Sequence, residues 1–233
     1  MDWKEQVYAS YVSSGQAHID LGPQRKYLSR VIRRHFPKDR KVKILDIGCG
    51  NGPLLWFLSQ HGYRNLRGVD GSMEQVNLAK ELGVPGVEWG NGLTVLQQAS
   101  STSIDVICLF DVLEHLTRQE CFDLLSEVHR VLTPNGLCIG HVPNAEGIFG
   151  SRIRYGDLSH EQAFTERSIG QMFRCLKFSE VKSWEDTPVF AGLSTVRRVL
   201  WTLGTAPIRL LFAAETGRFH VLLSQNLLFV AHR

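Results

Sequence analysis

Three glycines at alternate positions follow a short apolar segment near the start of the chain, and this spacing constrains the fold most. They are Gly48, Gly50 and Gly52. The apolar segment Val42–Leu45 precedes them, and Asp46 follows it directly. Glycine lets the backbone turn sharply and approach a ligand where a Cβ atom would collide. Pro53 suits the first position of a helix, whose start offers unpaired N–H groups. The pattern predicts a strand, a glycine loop and a helix around a nucleotide-shaped pocket.

The residues around this loop favour a nucleoside that carries a cationic group. A nicotinamide dinucleotide fits poorly, because its fingerprint needs a further glycine where this chain has Pro53. Asp46, at the end of the strand, suits an ammonium or sulfonium group. A second strand, Leu66–Val69, ends at Asp70, which is about where an acidic residue binds ribose hydroxyls in such folds.

These landmarks resemble the class I S-adenosylmethionine-dependent methyltransferases. Their first motif is similar to Asp46–Gly52, their ribose-binding acid matches Asp70, and their adenine-contacting pair is similar to Asn91–Gly92, where many members have an Asp first. Phe110–His115 resembles their fourth-strand motif. The resemblance implies S-adenosylmethionine as cofactor and an α/β fold, with a Rossmann-like seven-stranded, mostly parallel sheet and helices on both faces. The cofactor-binding residues that it implies are Asp46, Gly48, Cys49, Gly50, Gly52, Asp70, Gly71, Asn91, Gly92 and Phe110.

The length of 233 residues fits one methyltransferase domain with a sizeable core. We expect an N-terminal helical lid over 1–40, a cofactor-binding core over 41–185, a basic apolar insertion over 189–219 and a last strand over 220–233. The opening Met1–Gln6 is polar and charged, which predicts no signal peptide. Five cysteines without paired metal-type spacing predict reduced core residues of a cytoplasmic protein.

The apolar patterns along the chain predict alternating strands and helices. Helix Gln24–Phe36 has one apolar face, and Ser103–Phe110 is a buried strand. A capping box at Thr117 opens a helix that runs to Leu132. The later elements are a turn at Thr133–Gly136, a strand at Leu137–Val142, a helix at Glu166–Leu176 and strands at Glu180–Trp184 and Val221–Val230. Such alternation places ligands beyond the carboxyl ends of parallel strands.

Two histidines are the candidate catalytic residues, because methyl transfer to a hydroxyl needs a base. His115 follows the fourth strand and His160 lies in the loop after the fifth, so both loops would overhang the cofactor. As alternatives, His115 bonds to backbone at a helix start, and His160 fixes the turn before Thr165. His141, at a strand end, is expected to be structural.

A divalent metal is an alternative that the sequence does not favour. The small-RNA terminal 2′-O-methyltransferases and the quinone-biosynthesis O-methyltransferases carry an acidic-x-x-Glu-His motif, which in the RNA enzymes joins a later histidine to hold a metal. The residues that resemble this set are Asp111, Glu114, His115 and His160. Asp111 is shorter than the usual Glu, and many metal-free members share the Glu-His pair, so no metal is expected.

The segment 189–219 is the main departure from a minimal methyltransferase. It is apolar, with four arginines and one acidic residue, which gives a formal net charge of +3. This composition suggests docking to an anionic bilayer at the inner face of a membrane. Gly204, Pro207 and the arginines argue against a transmembrane span. An inserted helical pair that covers the substrate cleft or forms a homodimer face is slightly favoured over membrane contact.

The second half of the chain contains the pattern from which the class of methyl acceptor is predicted. Gly156–Thr165, followed by a basic apolar insertion, resembles uncharacterised methyltransferases associated with bacterial cell-surface polysaccharide and lipid-linked sugar synthesis. The sequence therefore predicts O-methylation of a small or lipid-linked saccharide. A quinol- or catechol-type phenol is the alternative, and a non-catalytic partner protein is a second one. Arg152 and Arg154 are candidates for holding a phosphate or carboxylate on the acceptor. No nucleic-acid substrate is expected, because the chain's net charge of +3 is small and stacking aromatics are not interleaved with the basic residues.

Overall fold

The computed structural model describes residues 3, 6, 7, 21–188 and 193–233. Within these ranges strands and helices alternate. The helices are α1 (Arg25–His35), α2 (Pro53–Gln60), α3 (Met73–Glu81), α4 (Gly92–Gln98), α5 (Arg118–Val131), α6 (Gly150–Arg154), α7 (Glu166–Cys175) and α8 (Leu193–Thr216). The strands are β1 (Lys43–Ile47), β2 (Asn65–Asp70), β3 (Val87–Trp89), β4 (Ile104–Phe110), β5 (Leu132–Pro143), β6 (Glu180–Glu185) and β7 (Asn226–His232).

The seven strands form one sheet in the order β3-β2-β1-β4-β5-β7-β6. All neighbouring strands are parallel except β7, which runs antiparallel to both β5 and β6. The predicted seven-stranded, mostly parallel sheet is confirmed. The strand order reverses at β1, which lies between β2 and β4, so the loops after β1 and β4 diverge and leave a crevice at the carboxyl edge.

Helices cover both faces of the sheet, as predicted. On one face α1 buries Leu28, Val31 and Ile32 at helical spacing, and these side chains pack with residues of α2. On the other face α5 and α7 contribute Leu125 and Phe173 to the larger core cluster. Fully burying one such apolar side chain contributes about 1.5–3 kcal/mol to the stability of the fold. The packing on both faces therefore holds the sheet rigid, including the edge from which the site loops extend.

Two predicted strand boundaries are wrong. Residues 133–136, expected as a turn, lie within β5. They interrupt its pairing with β4, because Ile104 pairs with Leu132 whereas Val106, two residues later, pairs with Leu137. β7 begins at Asn226 rather than at 221. The segment before it is held by side chains instead of a neighbouring strand; the Leu223 N–H, for example, donates to the carboxylate that ends β6.

The predicted helical pair in the segment 189–219 is also wrong, because residues 193–216 form the single helix α8. Pro207 lies inside this helix, where it lacks the N–H that would bond to the preceding turn. Side-chain contacts anchor the helix on both sides of the proline. The Thr205 hydroxyl donates to the Trp201 carbonyl over 2.8 Å, and Arg209 forms an ion pair with Glu185. Residues 189–192 lie outside the described residues, as does most of the predicted lid over 1–40 before α1.

The cysteines are free thiols, four of them buried. Cys175 is exposed at the end of α7, which corrects the expectation that all five belong to the core. Among the described residues, no helix combines the length and apolar character needed to cross a bilayer.

Candidate cofactor and acceptor site

The glycine loop after β1 adopts the left-handed backbone that glycine allows. Gly48, Gly50 and Gly52 have φ angles of 67°, 55° and 78°, a region that residues with a Cβ atom seldom occupy. The Gly48 N–H donates to the Val69 carbonyl over 2.8 Å, which ties the loop to the end of β2. A Cβ atom at Gly48 would lie 2.6 Å from Val112 Cγ2. Glycine is therefore needed for the loop to fit between β2 and the segment after β4.

Asp46 lies one residue before the end of β1 and is only 2 % exposed. Its Oδ1 atom is buried and has no hydrogen-bond partner among the described residues. Burial, reinforced by the Asp70 carboxylate, raises the pKa of Asp46 well above its usual value. A buried acceptor that lacks a donor costs free energy. We therefore expect a cationic or hydrogen-bond-donating group of a ligand beside Asp46.

Asp70 ends β2 and holds the glycine loop in place. Its Oδ2 accepts from the Gly50 N–H over 2.7 Å, and its Oδ1 accepts from the Ser72 N–H over 2.8 Å. Each carboxylate oxygen offers a second lone pair. The same side chain can therefore order the loop and accept hydrogen bonds from two hydroxyls of a ligand.

A cavity of about 600 Å³ lies at the carboxyl ends of β1, β2 and β4. Nine of the ten predicted cofactor-binding residues line it, namely Asp46, Gly48, Cys49, Gly50, Asp70, Gly71, Asn91, Gly92 and Phe110. Gly52 is the exception: a Cβ atom there would lie 2.6 Å from Val84 Cγ1, so its place in the fold is a packing position. The volume is in the ordinary range for sites that bind small ligands and cofactors.

Asn91 and Gly92 bring the start of α4 to this cavity. Asn91 Oδ1 accepts from the Thr94 N–H over 3.1 Å and thereby caps the helix. A Cβ atom at Gly92 would collide with Ile47 Cγ2, so glycine allows α4 to approach β1 closely. The amide of Asn91 thus presents hydrogen-bonding groups at the cavity wall without a charge.

The cavity fits the sulfonium nucleoside that the sequence resemblance implies. The unpartnered Asp46 oxygen can accept from the cationic amino-acid portion of that cofactor, and the Asp70 carboxylate can accept from the hydroxyls of its ribose. A nucleobase would lie toward Asn91 and Gly92, where the Asn91 amide offers hydrogen-bonding groups. Each end of the cavity therefore has a group suited to one part of that cofactor.

His115 ends the short 3₁₀ helix Leu113–His115 and lines the same cavity. Its Nδ1 lies 2.9 Å from Ser159 Oγ, which lies 2.6 Å from Asp157 Oδ1. Burial raises the pKa of Asp157, but two hydrogen bonds from Ser159 outweigh it and lower that pKa, so the carboxylate is ionised. A carboxylate only accepts, hence the Ser159 hydroxyl donates to Asp157 and His115 Nδ1–H donates to Ser159. In the neutral ring Nε2 is then the nitrogen that can take up a proton.

His160 contacts His115 but is not among the residues that line the cavity. The two ring centroids are 4.6 Å apart in an edge-to-face arrangement, and His160 Nδ1–H donates to the Ile153 carbonyl over 2.9 Å. Backbone contacts hold the two loops together, because the Glu161 N–H donates to the Glu114 carbonyl over 2.6 Å. Of the two candidate bases, only His115 reaches the cavity wall, and His160 supports it from the neighbouring loop.

Glu114 is buried beside these rings, 1 % exposed, and its Oε2 has no partner among the described residues. Burial and the Asp111 carboxylate raise the pKa of Glu114 well above its usual value. Ligand atoms of Glu114, His115 and His160 lie within 4.8 Å of one another, so these three residues could together hold a divalent cation. Asp111 is not in this group. The four-residue set suggested by the RNA enzymes is therefore not assembled, and the metal-free site stays a prediction.

His141 joins three elements around the cavity. Its Nδ1 lies 2.6 Å from Asp111 Oδ1 and its Nε2 lies 3.3 Å from Asp186 Oδ2, and Asp186 also lies 3.6 Å from the Arg30 guanidinium. Burial lowers the pKa of His141, but the Tyr27 oxygen and the two carboxylates outweigh it and raise that pKa well above its usual value. The ring is therefore a cation that donates from both nitrogens. This agrees with the structural role expected for His141.

Three residues near the site, Asp157, Ser159 and Asp186, are not among those predicted from the sequence. The Asp-x-Ser spacing at 157–159 is typical of a turn in which the aspartate accepts from the backbone, and the Ser159 N–H does donate to Asp157 over 2.8 Å. That signal does not reveal the histidine 44 residues earlier. Arg152 and Arg154, proposed for acceptor binding, line neither this cavity nor the second cavity described below.

Most of this chain matches a known protein family in sequence. Residues 21–180 match the family model of a methyltransferase domain. The chain is 29 % identical over 118 residues to a ubiquinone biosynthesis O-methyltransferase of Rickettsia canadensis, a match that covers 49 % of this chain and 48 % of that one. The chain thus spans about half the length of the two Rickettsia relatives of this name that it matches.

Solved structures share the fold at low identity. A methyltransferase from Archaeoglobus fulgidus that depends on S-adenosylmethionine superposes with a TM-score of 0.68, at 17 % identity over 100 % of both chains. The phosphoethanolamine N-methyltransferase 2 of Haemonchus contortus, in complex with S-adenosylmethionine, superposes with a TM-score of 0.65 at 13 % identity, over 97 % of this chain and 60 % of that one. With the family match over residues 21–180, the chain therefore belongs to the class I S-adenosylmethionine-dependent methyltransferases.

Proposed function

We propose that this protein transfers a methyl group from S-adenosylmethionine to a hydroxyl oxygen of a small or lipid-linked molecule. The observation that carries the proposal is His115, which lines the cofactor cavity and whose Nδ1 bonds to Ser159 and, through it, to Asp157. A hydroxyl has to lose its proton as its oxygen attacks, whereas a neutral amine can attack without a base. A positioned imidazole therefore favours an oxygen acceptor over a nitrogen one.

The residues of the chain have three tasks in this reaction. Asp46 and Asp70 hold the charged and the ribose portions of the cofactor, which when bound supplies a methyl group on a sulfonium sulfur. The cavity would orient the acceptor oxygen toward the methyl group of the bound cofactor, and orientation supplies about 7–11 kcal/mol in favourable cases. As the oxygen–carbon bond forms and the carbon–sulfur bond breaks, His115 Nε2 takes the hydroxyl proton. Ser159 and the ionised Asp157 stabilise the resulting imidazolium.

Two classes of hydroxyl fit this chemistry. The names of the Rickettsia relatives favour a phenol of the quinol or catechol type, although the saccharide hydroxyl predicted from the sequence needs the same base. A phenol loses its proton more readily than a sugar hydroxyl does, so it depends less on His115. Because of these relatives, we propose a phenol as the acceptor ahead of a saccharide.

The first test is binding and acceptor screening. We expect calorimetry to give 1:1 binding of S-adenosylhomocysteine, and labelled S-adenosylmethionine to transfer its methyl group to a catechol or quinol in a panel that also contains nucleotide sugars, lipid-linked sugars and amines. Transfer to an amine alone would contradict the oxygen acceptor. Cofactor binding with transfer to no acceptor would favour the non-catalytic partner role.

We further propose peripheral contact with an anionic bilayer through α8. Exposed apolar side chains lie on one face of this helix, in a group before Pro207 and a group after it. They are Val196, Val199, Leu200, Leu203, Leu210 and Leu211. Arg209 forms an ion pair with Glu185, whereas Arg218, two residues beyond the helix, is exposed and is a candidate for phospholipid contact.

Vesicle flotation tests this contact. The parent protein should float with vesicles that contain phosphatidylglycerol and not with pure phosphatidylcholine, and replacing both Leu203 and Leu210 with Glu should reduce flotation about tenfold, because it removes apolar area and adds negative charge. Size-exclusion chromatography provides the control. A dimer that dissociates in the double variant, without flotation of the parent, would assign these side chains to a homodimer face instead.

A further inference from the structure

A second cavity, of about 470 Å³, lies beside the cofactor cavity. It is built from α1, the residue before α6, the segment after β6, α8 and the segment before β7. The described residues that line it include Lys26, Tyr27, Phe149, Asp186, Arg197 and Trp201. Tyr27 also lines the cofactor cavity, so the two spaces meet at this side chain.

Two buried donors in this wall have no hydrogen-bond acceptor among the described residues. They are the Tyr27 hydroxyl and the indole N–H of Trp201. Buried polar groups in native proteins almost always have partners, and leaving a donor unpaired costs free energy. The indole N–H can only donate. Trp201 therefore brings to the cavity wall a donor whose acceptor the described residues do not supply.

The charges at the cavity point to an anion. Lys26 and Arg197 are exposed cations at its wall, and neither has an ion-pair partner within the described part of the chain. Asp186 supplies the negative charge in the wall, but it lies 3.3 Å from His141 and 3.6 Å from Arg30. The charge of Asp186 is thus compensated within the protein. Lys26 and Arg197 therefore leave a net positive charge at the cavity wall, which suits an anionic group.

We propose that the second cavity is the acceptor site and that the acceptor carries an anionic group, a phosphate or a carboxylate, bound by Lys26, Arg197 and the Trp201 indole N–H. This inference rests on the proposed function and specifies its substrate class. The body of the acceptor packs on Phe149 and Trp201, and its hydroxyl reaches the cofactor cavity past Tyr27.

Calorimetry on the full chain saturated with S-adenosylhomocysteine tests the proposal. The probes are phenyl phosphate, benzoate and the neutral benzyl alcohol, and the first two distinguish phosphate from carboxylate. We expect saturable 1:1 binding of at least one anionic probe, at least about tenfold tighter than benzyl alcohol and weaker at higher salt. Lys26→Gln and Arg197→Gln should each raise the Kd of that probe about tenfold, and Trp201→Phe, which keeps a ring and removes the N–H, a few-fold.

Matched controls replace a cation one residue away. Arg25→Gln and Arg198→Gln remove the same charge from residues that do not line the cavity, and they should leave the Kd of the probe unchanged. Equal affinity for the neutral probe, equal loss in the controls, no effect of Lys26→Gln and Arg197→Gln, or no binding of either anion would each overturn the proposal. The isotherm for S-adenosylhomocysteine is recorded separately. Its failure alone contradicts the proposed function, whereas failure of the anion isotherm alone contradicts this inference.

Discussion

His115→Ala is expected to lower kcat for methyl transfer by about 10²- to 10⁴-fold, the usual contribution of a positioned general base. The Kd for S-adenosylhomocysteine should not change, because His115 is assigned to the acceptor proton and not to the cofactor. The measurements are steady-state turnover with the acceptor found by screening, and calorimetry with S-adenosylhomocysteine. Added imidazole should restore part of the turnover, since it can occupy the space that the side chain leaves.

His160→Ala is the matched comparison, because it removes an imidazole ring that contacts His115 but does not line the cavity. Its turnover should fall less than tenfold. Equal losses in the two variants, without rescue by imidazole, would contradict the assignment of His115 as the base. A chelator separates the metal alternative. Turnover abolished by EDTA and restored by Mg²⁺ would replace the base with a metal site at Glu114, His115 and His160.

The sequence predicted those parts of the site that depend on short-range backbone chemistry. Gly48 and Gly50 are needed for left-handed turns, and Asp46 and Asp70 occupy strand ends that any parallel sheet of this order brings to one edge. Such features are fixed by a few consecutive residues and by rules of connection. For that reason the sequence could predict the sheet and the grouping of nine of the ten candidate cofactor-binding residues at one cavity.

What the sequence could not show depends on contacts between distant residues. Ser159 meets His115 because a backbone hydrogen bond from Glu161 to Glu114 holds two loops together, and no local pattern encodes that contact. The sequence favours a helical pair in 189–219, whereas the structure has the single helix α8 with Pro207 inside it, although proline disfavours helix interiors in general. In the fold, the ion pair between Arg209 and Glu185 anchors the following turns, and tertiary contacts override local propensity.

Asp46→Asn is expected to weaken binding of S-adenosylhomocysteine about 10- to 100-fold. Asp46 Oδ1 is buried without a partner in the described structure, and a hydrogen bond to a charged group contributes about 1.5–3 kcal/mol, where 1.4 kcal/mol is a factor of ten in Kd. Asparagine keeps the shape and one acceptor but loses the charge. Calorimetry measures the effect, and Asp123→Asn on the exposed side of α5 is the control that should bind as the parent does. Unchanged affinity in Asp46→Asn would remove Asp46 from the cofactor site.

The same substitution should stabilise the fold, and the gain should grow with pH. Burial and Asp70 raise the pKa of Asp46 in the folded state above its unfolded value, so ionisation of this carboxyl opposes folding. The penalty is absent below the unfolded pKa of about 4 and increases as the pH rises toward the folded pKa. Thermal unfolding without ligand should therefore give similar Tm values for parent and variant near pH 4, and a higher Tm for Asp46→Asn at pH 8. A variant that is less stable than the parent at pH 8 would mean that the ionised Asp46 is stabilised within the protein itself. The buried carboxylate would then not need the cofactor as its partner.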